Sequence, residues 1–106
     1  MPQFPDSEGV DTGVLVEKKP RLKKPPLFKV VLHNDDFTTM DFVVFVLQHI
    51  FGRSEPEAVA IMLAVHRTGA GVAGIYPYEI AKMKADKATT LARSREYPLL
   101  CTVEKA

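Results

Sequence analysis

Leu27-Phe28-Lys29-Val30-Val31-Leu32-His33-Asn34-Asp35-Asp36-Phe37-Thr38-Thr39-Met40-Asp41-Phe42-Val43 holds a strand, a turn and a helix start in one unbroken stretch. Leu27 to about His33 is short, β-branched and aromatic, which predicts a strand. Asn34-Asp35-Asp36 is a turn-forming cluster, because short polar side chains bond their own backbone. Thr38-Thr39-Met40-Asp41 then predicts a capped helix start, with Asp41 three residues after Thr38. The helix is expected to run to about Phe51 and to stop at Gly52. Met40, Val43, Leu47 and Ile50 follow helical spacing along it, with Val44 and Phe51 alongside.

Working outward toward the C-terminus, Ser54-Glu55-Pro56-Glu57 predicts a second helix start. Ser54 would be the N-cap, Glu57 would complete a capping box, and proline is tolerated in a first turn. Ala58, Met62, Val65 and His66 form one stripe of this helix, and Gly69 is expected to end it. Gly71 to Tyr76 predicts a second strand. A third, alanine-rich helix is expected from about Pro77 to Arg95, with basic residues toward its end as the helix dipole favours. Pro98 breaks the chain, and Leu99 to Val103 predicts the last strand. The order β-α-α-β-α-β implies an α+β fold: a short antiparallel three-stranded sheet with three helices packed against one face.

Toward the N-terminus the character is different. Residues 1–26 contain Pro2, Pro5, Pro20, Pro25 and Pro26 and a basic run from Lys18 to Lys24, and sustain no helical or strand period. A disordered extension is expected over 1–26 and a single folded domain over 27–106. The formal net charge of +1 argues against a nucleic-acid binder that works by neutralising phosphates. No apolar run approaches the ~20 residues of a membrane span. The lone Cys101 forms no internal disulfide and reads as a small core residue. These features together predict a cytoplasmic protein with no membrane partner.

The polar residues that could carry chemistry are Asn34, Asp35, Asp36 and His66. Taken locally, two aspartates before a helix close a turn and favour its positive end. Taken together, the four suit one particular ligand. A protonated α-amino group has three N–H donors and a positive charge, so its site must supply acceptors. An amide oxygen, a carboxylate and a neutral imidazole nitrogen are such a set. Met40 and Val43 lie on one face of the first helix, and Met62 and Val65 on one face of the second. Two facing helices would make an apolar pocket with a polar mouth, although residues at such spacing also form ordinary cores. No His-x-x-x-His or Cys-x-x-Cys spacing calls for a metal, and no glycine-rich phosphate loop is present. No cofactor, metal or catalytic activity is therefore expected.

The stretch from Lys29 to Val43, the segment Met62-Leu63-Ala64-Val65-His66 and the segment from Tyr97 to Glu104 resemble, in order, three motifs of the ClpS adaptors. The resemblance spans about residues 25 to 106. It implies a protein that binds substrates whose first residue is Leu, Phe, Tyr or Trp and delivers them to the AAA+ protease ClpAP. It implies that Asn34, Asp35, Asp36 and His66 surround the substrate α-amino group. Leu32, Thr38, Met40, Val43, Met62, Val65 and Leu99 would shape the side-chain pocket, with Met40 as a gatekeeper against β-branched Ile and Val. Glu79 and Lys84 would contact the N-terminal domain of the unfoldase ClpA, and the N-terminal extension would assist delivery. A monomer is expected. Two other readings fit parts of the pattern. One is a docking domain like the C-terminal domain of the ribosomal stalk protein. The other is a small enzyme using His66 and an aspartate as an acid–base pair.

Overall fold

The computed structural model describes residues 24–106. The expected extension therefore lies almost wholly outside the described residues. The elements are β1 (Leu27–His33), α1 (Met40–His49), α2 (Glu55–Thr68), β2 (Ala70–Pro77), α3 (Tyr78–Ser94) and β3 (Leu100–Lys105). β1 is the central strand of an antiparallel sheet ordered β2-β1-β3. The α+β class and the β-α-α-β-α-β order match the expectation.

Strand alternation assigns the two faces of the sheet. Phe28, Val30 and Leu32, with Tyr76, Cys101 and Val103 across from them, belong to the hydrophobic core or pack against it. The opposite face carries Lys29, Val31 and His33, flanked by Ile75, Val72, Thr102 and Leu100. There the His33 Nε2 lies 2.8 Å from Thr102 Oγ1. α3 supplies Ala81, Ala85, Ala88 and Ala92 to the core, all buried. Alanine at this spacing lets the helix lie close over the sheet, so the core gains area from backbone proximity rather than from bulk.

The helix signals hold for α2, whereas α1 departs from them at both ends, finishing at His49 with Ile50 as its C-cap and so short of the expected Phe51 and Gly52. Ser54 caps α2 and Glu57 closes the capping box, with bonds of 3.0 and 3.3 Å. Gly69 ends α2 at φ 95°, a left-handed conformation that favours glycine. α1, however, is capped by Thr39, whose side chain accepts from the Phe42 N–H, and not by Thr38. Thr38 is held instead by Asp35, as described below. The buried face of α1 also differs from the expected stripe: Phe42, Val43, Val46 and Leu47 are inside, whereas Met40 is 44% exposed. Met40 opens the helix and stands at its rim, so the periodic pattern overextended the core by one turn. The last strand begins at Leu100, one residue later than expected, and Leu99 is buried in the core.

β2 begins one residue after the αL glycine and runs back against the helix it has just left. The close approach is possible only at Gly71. A Cβ there would stand 2.8 Å from Val65 Cγ2 and 3.3 Å from the Ile61 carbonyl. Val65 is itself buried, so it has little room to yield. Gly71→Ala should therefore destabilise the fold by about 1–3 kcal/mol through overpacking, measured as a shift in the urea-unfolding midpoint at unchanged slope.

Candidate functional site

The site begins at the end of β1. The pairing of β1 with β2 sets His33 opposite Ala70, and the next residue extends it: the Asn34 N–H donates to the Gly69 carbonyl at 2.9 Å. Gly69 is the C-cap of α2. The turn after β1 is thereby fastened to the end of α2, three residues past His66. Residues more than thirty apart in the chain meet because antiparallel pairing joins one strand's end to the next strand's start.

Asp35 shapes the turn itself. Its Oδ1 accepts from the Phe37 and Thr38 N–H groups at 2.8 and 2.7 Å, and its Oδ2 accepts from the Thr38 hydroxyl at 2.7 Å. A carboxylate offers about four acceptor positions, so most of this group is committed to its own backbone. Partial burial works to raise the Asp35 pKa, but the bonds from Thr38 and Phe37, aided by the charge of Arg93, hold it below its ordinary value. The turn closes one residue before Thr39 caps α1, and this is why Thr39 and not Thr38 caps the helix.

Asn34, Asp36 and His66 are exposed, and their side chains form no hydrogen bond among the described residues. They border a cavity of about 380 Å³, with Asp35, Phe37, Thr38 and Thr39 around the turn and Met40, Val43, Met62 and Val65 on the walls. Two walls come from helices that pack together, α1 and α2, and Asn34, Asp36 and His66 line the cavity from exposed positions. His66 sits on the exposed side of α2 and not among the buried stripe residues, so it is no core histidine. Of the eleven residues expected to bind substrate, nine line this cavity. Leu32 and Leu99 do not: they are 0% and 1% exposed and belong to the core. Phe37 and Thr39 line it without having been expected. Phe37 is 76% exposed, and only its place inside the turn motif could have marked it.

The two residues expected to face a partner differ in their environment. Glu79 is exposed in the first turn of α3. Lys84 donates from Nζ to the Ile50 carbonyl at 2.9 Å and lies 5.3 Å from the Tyr76 ring centroid, so its charge already ties α3 to the end of α1. A broader hollow of about 720 Å³ runs along α3 past Glu79, Met83 and Leu91. Its lining comes from one helix, and Lys82 and Asp86 pair with each other across it at 3.1 Å. Two of its polar groups, Lys82 and Asp86, thus satisfy each other. Burial pushes the Cys101 thiol pKa up, against the hydrogen bond to Thr89 and the Arg93 charge. No group of metal-ligating side chains is found among the described residues, and none of their helices is long and apolar enough to cross a membrane.

Comparison with known proteins agrees with this architecture. Residues 23–102 match the family described as ATP-dependent Clp protease adaptor protein ClpS. The chain is 49% identical over 98 residues to the ATP-dependent Clp protease adapter protein ClpS of Rhodospirillum centenum, covering 92% of this chain and 91% of that one. It is 51% identical over 92 residues to the corresponding adapter of Nitrosospira multiformis, covering 87% and 90%. Among solved structures, that of Agrobacterium tumefaciens ClpS2 bound to L-phenylalaninamide superimposes with a TM-score of 0.75 and 38% identity, covering 78% of this chain and all of that one. The fold and the cavity thus define a small α+β adaptor domain of the Clp protease system. The chain belongs to the ClpS family.

The bonding of Asp35 makes a stability prediction. Because its folded-state pKa is depressed, Asp35 contributes stability above the ordinary aspartate range (~3.9), and that contribution is lost as the pH falls through the lower folded value. Asp35→Ala should lower stability by about 1–2 kcal/mol at pH 7 and make the acid limb of the stability curve shallower, as read by urea denaturation across the acid range.

Proposed function

We propose that this protein binds other proteins by a free α-amino group and a bulky hydrophobic N-terminal side chain (Leu, Phe, Tyr or Trp). It then hands them to the ClpA-type unfoldase of the ClpAP protease. The observation that carries this reading is the cavity's division into a polar mouth and an apolar interior. At the mouth, Asn34 Oδ1, the Asp36 carboxylate and an imidazole nitrogen of His66 offer acceptors to an ammonium group, and one remaining position of the Asp35 carboxylate can add to them. Bonds from a charged donor are the stronger class, roughly 1.5–3 kcal/mol each. Along the walls and rim, Met40, Val43, Met62 and Val65 offer apolar area to a substrate side chain, whose burial contributes about 1.5–3 kcal/mol. The ligand seen with the Agrobacterium relative, L-phenylalaninamide, has both features, a free α-amine and a benzyl group.

The two parts read different things. The mouth tests for a charged amine, so acetylation removes the charge and leaves acceptors without donors. The interior tests shape. Met40 stands half-exposed at the rim, and its flexible thioether crowds a substrate branched at Cβ while passing one that branches further out. The adaptor needs no cofactor and works as a monomer. Delivery involves the exposed side of α3 around Glu79, whereas Lys84, already bonded to Ile50, supports that surface from within.

Fluorescence anisotropy with peptides beginning in Phe, Val, Ala and acetyl-Phe tests the binding reading. Phe should bind at micromolar affinity or tighter, about −8 kcal/mol, with the other three at least tenfold weaker. His66→Ala should weaken the Phe peptide, and Met40→Ala should admit the Val peptide. Equal binding of all four peptides would overturn the reading. For delivery, Glu79→Lys should slow ClpAP degradation of an N-terminal Phe reporter while the Phe peptide still binds at wild-type affinity.

A further inference from the structure

Phe37 belongs to two hollows. It lines the cavity described above, and it also walls a second cleft of about 420 Å³ completed by Arg93, Glu96, Tyr97 and Pro98. A phenyl ring 76% exposed at the border of two hollows is an unusual place for so apolar a group. The second cleft is built and not frayed. The Tyr97 ring packs against Phe42 at 4.8 Å between centroids, and its N–H donates to the Ala92 carbonyl at 2.8 Å. Arg93 Nη1 donates to the carbonyls of Tyr97 and Leu99, both at 2.9 Å, and so pins the turn that carries Glu96 and Pro98.

Its chemistry is that of an apolar slot. Phe37, Tyr97 and Pro98 present ring surfaces, and Glu96 and Arg93 stand at the sides with opposite charges. Arg93 Nη1 is engaged by the two carbonyls, which fixes the guanidinium as part of the cleft wall. We propose that this cleft is a second specificity subsite, which takes an apolar side chain from the third residue of the substrate. The inference rests on the function proposed above and deepens it. Phe37 is the wall common to both hollows, so a substrate chain that leaves the first cavity across it meets the second. An extended chain advances about 3.3 Å per residue and alternates its side chains. The third residue therefore faces the protein again about 6.6 Å on. The adaptor would then rank substrates by a side chain beyond the N-terminal one, with Tyr97 and Pro98 setting the preference.

The test uses the full chain and three ligands: phenylalaninamide, a peptide beginning Phe-Ser-Ser and one beginning Phe-Ser-Leu. The Leu peptide should bind roughly three- to tenfold more tightly than the Ser peptide, as partial burial of one aliphatic side chain allows. Pro98 lines only the second cleft. Pro98→Asp should bring the ratio of the two peptides to about one while phenylalaninamide binds as before, and Pro98→Ser should lower the ratio in the same direction. Equal affinity of the two peptides for the wild-type protein overturns the second subsite and leaves the amine-binding reading standing. So does a ratio unchanged in both variants. Failure of phenylalaninamide to bind the wild-type protein overturns the proposed function and this inference with it.

Discussion

The hydrogen bond from the Asn34 N–H to the Gly69 carbonyl is the point on which the site depends. It prolongs the pairing of β1 and β2 by one residue beyond the strands, and it does so where β1 gives way to the turn and α2 to β2. Every polar group at the cavity mouth lies within three residues of one end of this bond. Gly69 makes it possible by taking a left-handed conformation that turns its carbonyl back toward β1. Gly71 then lets β2 return hard against Val65 and Ile61. The two glycines set the distance between His66 and Asn34, although neither contributes a side chain to the cavity.

The four polar residues of the motif divide the work. Asp35 is occupied by the turn, and its negative charge is held in place by three protein donors. Asn34, Asp36 and His66 are left to face the cavity. This division follows from position. Asp35 is the residue whose side chain can reach the N–H groups two and three residues on, the geometry of an Asx turn. Asp35 thus lends its carboxylate to the rigidity of the turn, while Asn34, Asp36 and His66 carry no such side-chain bonds among the described residues. The walls obey the same economy. Val43 and Val65 are stiff β-branched side chains held by the core, while Met40 and Met62 supply adaptable surface between them.

Much of this was legible in the sequence, because local rules act over a few residues. The β1 boundaries, the Ser54–Glu57 capping box and the glycine stop at Gly69 all depend on contacts within one turn of chain, and the structure has them where they were expected. The misreadings arose where two local rules competed. Thr38 and Thr39 are both good N-caps, and the choice between them was made by Asp35 claiming Thr38. Leu32 and Leu99, which the resemblance assigns to the pocket, are buried in the core, because burial depends on what packs above a residue and not on its neighbours in sequence. Lys84, which the resemblance assigns to a partner contact, reaches a carbonyl 34 residues away.

The sequence by itself determined the number, order and type of the elements, the glycine that ends α2 and the polar cluster worth examining. Period, caps and turn chemistry are short-range physics and are written residue by residue. Only the tertiary structure decided which of those residues share a cavity. That depended on β1 pairing with β2 through Asn34 and Gly69, and on α1 leaning against α2, both of them contacts between distant parts of the chain. It also decided that His66 faces outward and that Phe37 stands between two hollows. Exposure is a property of the packed whole: hydrophobic burial and loop closure choose among faces that the chain alone leaves equivalent.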